Sequence, residues 1–463
     1  MGLARDLKLS HACALVVGII IGSGIFLVPT EMMQAVGSVK LTFLVWLVGG
    51  LLSFFGALTY AELGAMKPQA GGEYVYIRDA YGALAAFLYA WAWCLIAKPA
   101  AIATITTGIV RVLQSFPAFA YFGRPWLLHP VAISYGQLIA VAITLFISWV
   151  NYIGVRRAGD FQLLFTALKV ALILAIVGIG FSYSAGTWAN FSSEYSGATG
   201  GLGGFFAALV AALWAYDGWN DLNMVAGEVR DPQRNIPIAL IWGVATVGVL
   251  YVLVNAAVQY VMPAAAIAAT PRPAADAVAL VLGPVGASLV AAAMAVSMLG
   301  TLNGSIMSGG RLAFAPARDG YFFRVFAQVH PRFRTPSVAI AMQCALSVAL
   351  LLIGGSFRQF FSLEIFSAWM FYMIAGSTVF VFRHREPLTP RPYRVWGYPV
   401  VPALFVLSSS VLLYYTFIAN ARASTLGCLA ILAGVPVFYF FAQRRASAAE
   451  LASRMPQPAR DPD

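Results

Sequence analysis

The sequence predicts an all-α membrane protein with 12 transmembrane helices, arranged as a 5+5 inverted repeat in which helices 1 and 6 are discontinuous. Three observations carry that prediction. Of 463 residues, 60% are hydrophobic and only 10% are charged, and mean hydropathy is +0.80. That is the composition of a chain that crosses a bilayer many times. Apolar runs recur at 10–35, 41–66, 83–113, 131–152, 161–181, 203–228, 236–262, 280–314, 337–353, 360–382, 400–419 and 426–441. Finally, the two runs that are broken by turn-forming residues occupy corresponding places in two five-span halves. An odd number of spans per half inverts the second copy.

The first run contains LVVGIIIGSGIFLVP over 15–29. Gly costs about 1 kcal/mol against Ala in a helix, and Ser competes for backbone hydrogen bonds, so Gly22, Ser23 and Gly24 weaken it. An opened turn at membrane depth is tolerated only where protein or a polar cavity covers it. The half-helix starting after the break would aim free N–H groups at the opening, and the half ending there would present carbonyls. One end suits a carboxylate and the other an ammonium. A close-packing small-residue face is the alternative reading of the same glycines.

The second run carries Glu62 near its end and leads into a Pro- and Gly-containing turn, KPQAGGEY, then a short amphipathic stretch through Arg78 and Asp79. The third carries Lys98-Pro99 well inside, where a charge usually faces the bundle interior or a water-filled cavity. The fifth holds Lys169 near mid-span with no acidic residue in the same span. A polar, Gly/Ser-rich loop at 182–202 separates the halves. The sixth run then breaks at Ala215, Tyr216, Asp217 and Gly218 and resumes at Trp219. Interrupted helices at matching positions of two halves point to a transporter site near the midplane. The eighth run is Gly/Ser-rich from Thr301 to Gly310, which plain small-residue packing also explains. The expected organisation is a first repeat at 1–181, an inverted second repeat at 203–382, two last spans within 400–441 and a cytoplasmic tail at 442–463.

The net charge of +11 comes from 29 Lys and Arg against 18 Asp and Glu. Sorted by span, 21 of the 29 fall on the face that carries the termini and 6 on the other, with Lys98 and Lys169 left in the membrane. The positive-inside rule then places both termini in the cytoplasm, and nucleic-acid binding drops out as a reason for the charge. Arg5 and Lys8 precede too long an apolar run, without a small-residue cleavage site, for a signal peptide. Cys13, Cys94, Cys344 and Cys428 all lie in apolar segments, so no disulfide or metal pattern is offered. Neither HExxH, GxSxG nor a phosphate loop occurs, and no cofactor, metal or enzyme activity is expected.

Several stretches together resemble a known family. They are Gly22-Ser23-Gly24-Ile25-Phe26 with Pro29, the loop with Gly71-Gly72, Trp214 to Asn220 (WAYDGWN) and EVRDPQRNIP from Glu228. Asn303-Gly304-Ser305 with Arg311, and Arg383-His384-Arg385 before Arg391-Pro392-Tyr393, complete the match. The chain is similar over nearly its whole length to the L-type amino acid transporters of the amino acid–polyamine–organocation superfamily, which include bacterial serine/threonine exchangers. That resemblance implies the fold of the sodium-coupled leucine transporter and amino acid transport without sodium.

By position, the resemblance puts the substrate carboxylate on the N–H groups of Ser23, Gly24 and Gly22. It puts the ammonium on carbonyls of Ile20, Trp214 and Ala215, and the side chain near Asp217, Gly218 and Asn220. Trp214 matches an aromatic gate. Lys169 matches a lysine that occupies the space of a sodium ion, where it would bridge first-span carbonyls and the Ser305 hydroxyl. Lys98 matches a basic position that lines the inner cavity, with snorkelling or a structural pair as alternatives. Animal relatives carry a cysteine in the loop at 115–130 for a disulfide-linked heavy chain. None occurs here, so no such partner is expected. Asp217 leaves open whether cationic amino acids join neutral ones as substrates.

The expected function is a sodium-independent amino acid exchanger working by alternating access, a monomer in a bacterial cytoplasmic membrane by its Arg and Ala usage. A uniporter or proton symporter, in which Lys169 or Glu228 titrates, is the alternative within transport. A non-transporting amino acid sensor is the alternative outside it.

Overall fold

The computed structural model describes residues 2–127, 133–353, 357–419 and 421–454. Among the described residues, nine helices are long and apolar enough to cross a membrane. The first of the expected spans is split into half-helix 1a, Leu9–Ile20, and half-helix 1b, Gly24–Val36. The sixth is split into half-helix 6a, Gly201–Ala215, and only a short turn of helix, Asp221–Met224, before a tighter turn at Ala226–Glu228. Spans 2 and 7 are the long helices Val39–Met66 and Pro232–Val261.

In lipid, apolar side chains gain little by leaving the bilayer, so helices join through small residues and polar contacts. Span 2 shows both faces. Leu41, Leu44, Leu47 and Leu51, three or four residues apart, stay exposed as a lipid-facing stripe. On its opposite face Gly49 lies where any Cβ would meet Ala212 at 3.1 Å, bringing 6a close. Half-helix 1a packs against spans 5, 7 and 8, and 1b against 6a. The loop between the halves crosses the far end of 1b. There Tyr195 N–H donates to Gly37 O at 2.7 Å and Gly200 N–H to Ala35 O at 2.9 Å, satisfying carbonyls that the helix end leaves free.

Several expected boundaries are corrected. Span 5 starts at Val155, because Arg156 and Arg157 are ordinary first-turn residues of the helix Val155–Phe181. Span 8 starts at Pro284: the residues before it belong to a separate helix, Pro273–Leu282, that ends at Gly283 with φ +66°. From there one helix runs to Arg318. The twelfth span is split by one residue into Ala421–Leu432 and Gly434–Arg454, so helix extends into the expected tail. The chain is not wholly helical, since Pro125–Leu127 pairs antiparallel with Ile133–Ser134. Val131, Ala132 and Arg460 lie outside the described residues.

Both ends of the described chain meet the loop at 319–336. Arg334 donates to Gly2 O at 3.2 Å, while Arg445 in the last helix lies 4.6 Å over the Tyr321 ring. This terminal face is closed by polar ties. Leu7 N–H donates to Glu228 O at 3.0 Å and accepts Arg230 N–H at 2.8 Å through its own carbonyl. Arg311, counted above among the surface cations, is instead fully buried and holds Glu228 through two hydrogen bonds of 2.6 and 2.8 Å. Glu62 is likewise held by Arg383 at 2.8 and 2.7 Å, joining span 2 to the helix Phe357–Arg385.

Candidate functional site

The two breaks face each other across a cavity of about 110 Å³. Ile20, Gly22, Ser23 and Gly24 line one side, and Trp214, Ala215, Asp217 and Gly218 the other. Their approach is close because glycines face it. A Cβ on Gly24 would meet Ala215 Cα and Cβ at 3.1 Å, whereas one on Gly22 would meet only Thr301 Oγ1, at 3.7 Å. Gly218 turns the chain at φ +104°, a conformation that L side chains rarely adopt. Gly24→Ala is therefore expected to lower uptake efficiency about tenfold, as overpacking typically costs 1–3 kcal/mol. Gly22→Ala is expected to stay within about twofold. Initial uptake rates in proteoliposomes check this, and equal losses from both would mean that the breaks do not need their present spacing.

The first break has a donor end and an acceptor end. Among the described residues, the backbone N–H groups of Ser23 and Gly24 have no hydrogen-bond partner. They begin half-helix 1b, whose dipole favours negative charge there. Gly22, expected as a third donor, is a correction: its N–H is spent on Ile20 O at 2.8 Å. On the acceptor side, 1a and 6a both end at the cavity. Tyr251, from span 7, places its hydroxyl 3.0 Å from Ile20 O and 2.8 Å from Ala215 O. Its single proton goes to one of them, so Tyr251 ties the two breaks together and shares the carbonyls expected for the ammonium. Trp214 O accepts Asp217 N–H at 3.1 Å. The signal available for Tyr251 was a lone polar group amid VGVLYVLV, at the depth of the breaks.

Lys169 reaches the back of the first break. Its Nζ donates to Gly18 O at 2.7 Å, Ile21 O at 2.8 Å and Ser297 O at 2.8 Å. Three acceptors need three N–H bonds, which an ammonium has and a neutral amine lacks. Ser305 is not among its partners. One and two turns earlier in the same helix, Thr301 Oγ1 and Ser297 Oγ stand by the first-break carbonyls, with Ser297 donating to Ile21 O at 2.7 Å. Ser305 instead lines the cavity.

Lys98 does not snorkel. It is 5% exposed and donates to both oxygens of Asp221 at 2.8 and 2.6 Å, with Ser308 Oγ donating to the same carboxylate at 2.8 Å. Pro99 has no N–H and its ring crowds the carbonyl four residues back. A wide turn at Trp93–Ala97 absorbs this and ends at Lys98. Asp221, unremarked in the sequence, is thus the acidic partner, and both residues line the cavity. Asp217 lines it too, with Oδ1 buried and unpartnered among the described residues. Asn220 does not: it is fully buried and donates to Glu73 Oε1 at 2.5 Å. Glu228 belongs to the closed terminal face, on Arg311, and not to the cavity.

The comparisons with known proteins agree on one family. The family model "Amino acid permease" matches residues 7–441. The chain belongs to the amino acid permease family. It is 32% identical to the serine/threonine exchanger SteT of Bacillus subtilis, over 96% of this chain and 99% of that protein. It is 32% identical to the b(0,+)-type amino acid transporter 1 of Homo sapiens, over 95% of this chain and 88% of that protein. The Asc-type amino acid transporter 1 of Mus musculus is 31% identical, over 95% and 81%. This permease is accordingly a multi-pass membrane transporter of amino acids and not an enzyme.

Proposed function

We propose that this permease exchanges amino acids without sodium, one bundle rocking against the rest around the paired breaks. The substrate carboxylate docks on Ser23 and Gly24 N–H, and its ammonium on the carbonyl ends of 1a and 6a. Neutral side chains fit the cavity between Trp214 and Gly218, and the unpartnered oxygen of Asp217 extends the range to cationic ones. The terminal face is cytoplasmic, in a bacterial inner membrane, the two five-span halves are inverted copies, and the permease works as a monomer without a disulfide-linked heavy chain.

The observation that carries sodium independence is the Lys169 ammonium seated among three carbonyls. A sodium ion using the same oxygens would stand about 4 Å from a like charge. At an effective dielectric near 20 that costs about 4 kcal/mol, roughly a thousandfold in affinity. Exchange is supported by the 32% identity to the serine/threonine exchanger of Bacillus subtilis.

The test is uptake of labelled serine, threonine, leucine and lysine into proteoliposomes. Uptake is expected to require an amino acid preloaded inside and to be unchanged when sodium is replaced by choline. A rate that saturates with sodium would remove the Lys169 argument, and full uptake into empty vesicles would remove exchange.

A further inference from the structure

Among the described residues four acidic side chains are buried over their whole length, and three of them have a cation. Glu62 has Arg383 and Arg391, Asp221 has Lys98, and Glu228 has Arg311. Glu73, the first residue of the helix Glu73–Tyr81, is fully buried and among the described residues has none. Among the described residues its oxygens accept from neutral donors: Asn220 Nδ2 at 2.5 Å, Tyr89 OH at 3.2 Å and its own backbone N–H.

The groups that face Glu73 leave its charge uncompensated. They are Tyr60 from span 2, Tyr76 on its own helix, Tyr89 from span 3, Asp221 from span 6 and Tyr372 from span 10. Lys98 is committed to both oxygens of Asp221. At the far end of the Glu73 helix, Arg78 is held by Asp79 and Asp319. A carboxylate buried without a cation is costly, and it neutralises by taking a proton. Burial lifts the Glu73 carboxyl from its ordinary 4.5 to about 7, against the pull of the Asn220 hydrogen bond. The Tyr89 hydroxyl accepts as readily as it donates, so the acid form keeps its partner.

We propose that Glu73 is a proton-binding site of this permease, occupied when the terminal face is closed and emptied when that face opens. The lid over Glu73 is the stretch from Asn220 to Glu228: Gly71 N–H donates to Met224 O at 2.9 Å, and the stretch is locked by Arg311 on Glu228. Moving this stretch away brings water to the carboxyl, which then ionises and returns its proton to the same side. The proton binds and leaves on the terminal face, so no net proton crosses per exchange. The role rests on the exchange reading above.

The sign follows from linkage. The closed form binds the proton more tightly than the open form, so acid favours closure and alkali favours opening. With proton affinities of about 7 closed and 4.5 open, lowering pH from about 8 to 6 reduces the open fraction about tenfold. Exchange in proteoliposomes, with only the terminal-face pH varied, is expected to slow up to tenfold in the native protein over that range. Glu73→Gln is expected to flatten the profile, and an unchanged profile in this variant overturns the site.

Infrared difference spectra of the native protein give a second readout that does not depend on the variant folding. A protonated buried carboxyl is expected at about pH 6 and lost by about pH 8, and its absence at the lower pH overturns the proposal. If the native protein exchanges no amino acid at all, the exchange reading fails, while the infrared band and its loss in Glu73→Gln still decide whether Glu73 holds a proton.

Discussion

Arg311→Ala is expected to abolish uptake, with the loss relieved when Glu228→Gln is added. The pair is 0% exposed on both sides, with hydrogen bonds of 2.6 and 2.8 Å, and Arg311 Nη1 also donates to Met307 O. Removing one member strands a buried charge, which typically costs 3–5 kcal/mol, while removing both charges leaves a neutral site and only the cost of the space the guanidinium filled. Here the cost falls on the closed terminal face, since Glu228 also accepts Leu7 N–H through its carbonyl. A shift of that size is a hundred- to several-thousandfold change in the equilibrium between closed and open forms. Initial uptake rates and the melting temperature of the purified protein check it. Equal loss in the single and double variants would show that the pair is needed for its geometry, and not only to cancel charge.

Lys169→Ala is expected to lower uptake by about thirty- to a hundredfold, with membrane insertion kept. Three charge-assisted hydrogen bonds disappear, each of a kind worth about 1.5–3 kcal/mol. Ser297 and Thr301 remain beside the same carbonyls and recover part of the loss. Lys169→Met, of similar length without the charge, is expected to be as damaging as alanine. Uptake per surface-labelled molecule is the measurement. Near-native rates in the methionine variant would show that length and packing suffice and that the ammonium is not needed.

Local chemistry made the breaks legible. Gly22, Ser23 and Gly24 weaken a helix wherever they stand, and Asp217-Gly218 interrupts an apolar run, so both openings can be read from neighbours in the chain. The same holds for the lipid-facing leucines of span 2, whose spacing is helical, and for Lys98 and Lys169, which are too deep to be left without partners. Loop-bounded apolar runs located most spans within a few residues. They failed at span 8, where Pro273–Leu282 is as apolar as the helix it precedes and only Gly283 separates them.

What composition and periodicity could not assign was which polar group meets which across the bundle. Asp221 and Asn220 are adjacent in sequence, yet one turns to Lys98 and the other to Glu73, because successive residues of a helical turn point about 100° apart. Ser305 and Ser297 lie on the same helix, but only Ser297 is level with the first break. Tyr251 joins two breaks that are 195 residues apart in sequence, counting from Ile20 to Ala215. Such pairings depend on the rotation and depth of whole helices, which are set by packing against several neighbours at once. A buried polar group must find a partner, and the sequence by itself determined that need; only the packed bundle determined the partner.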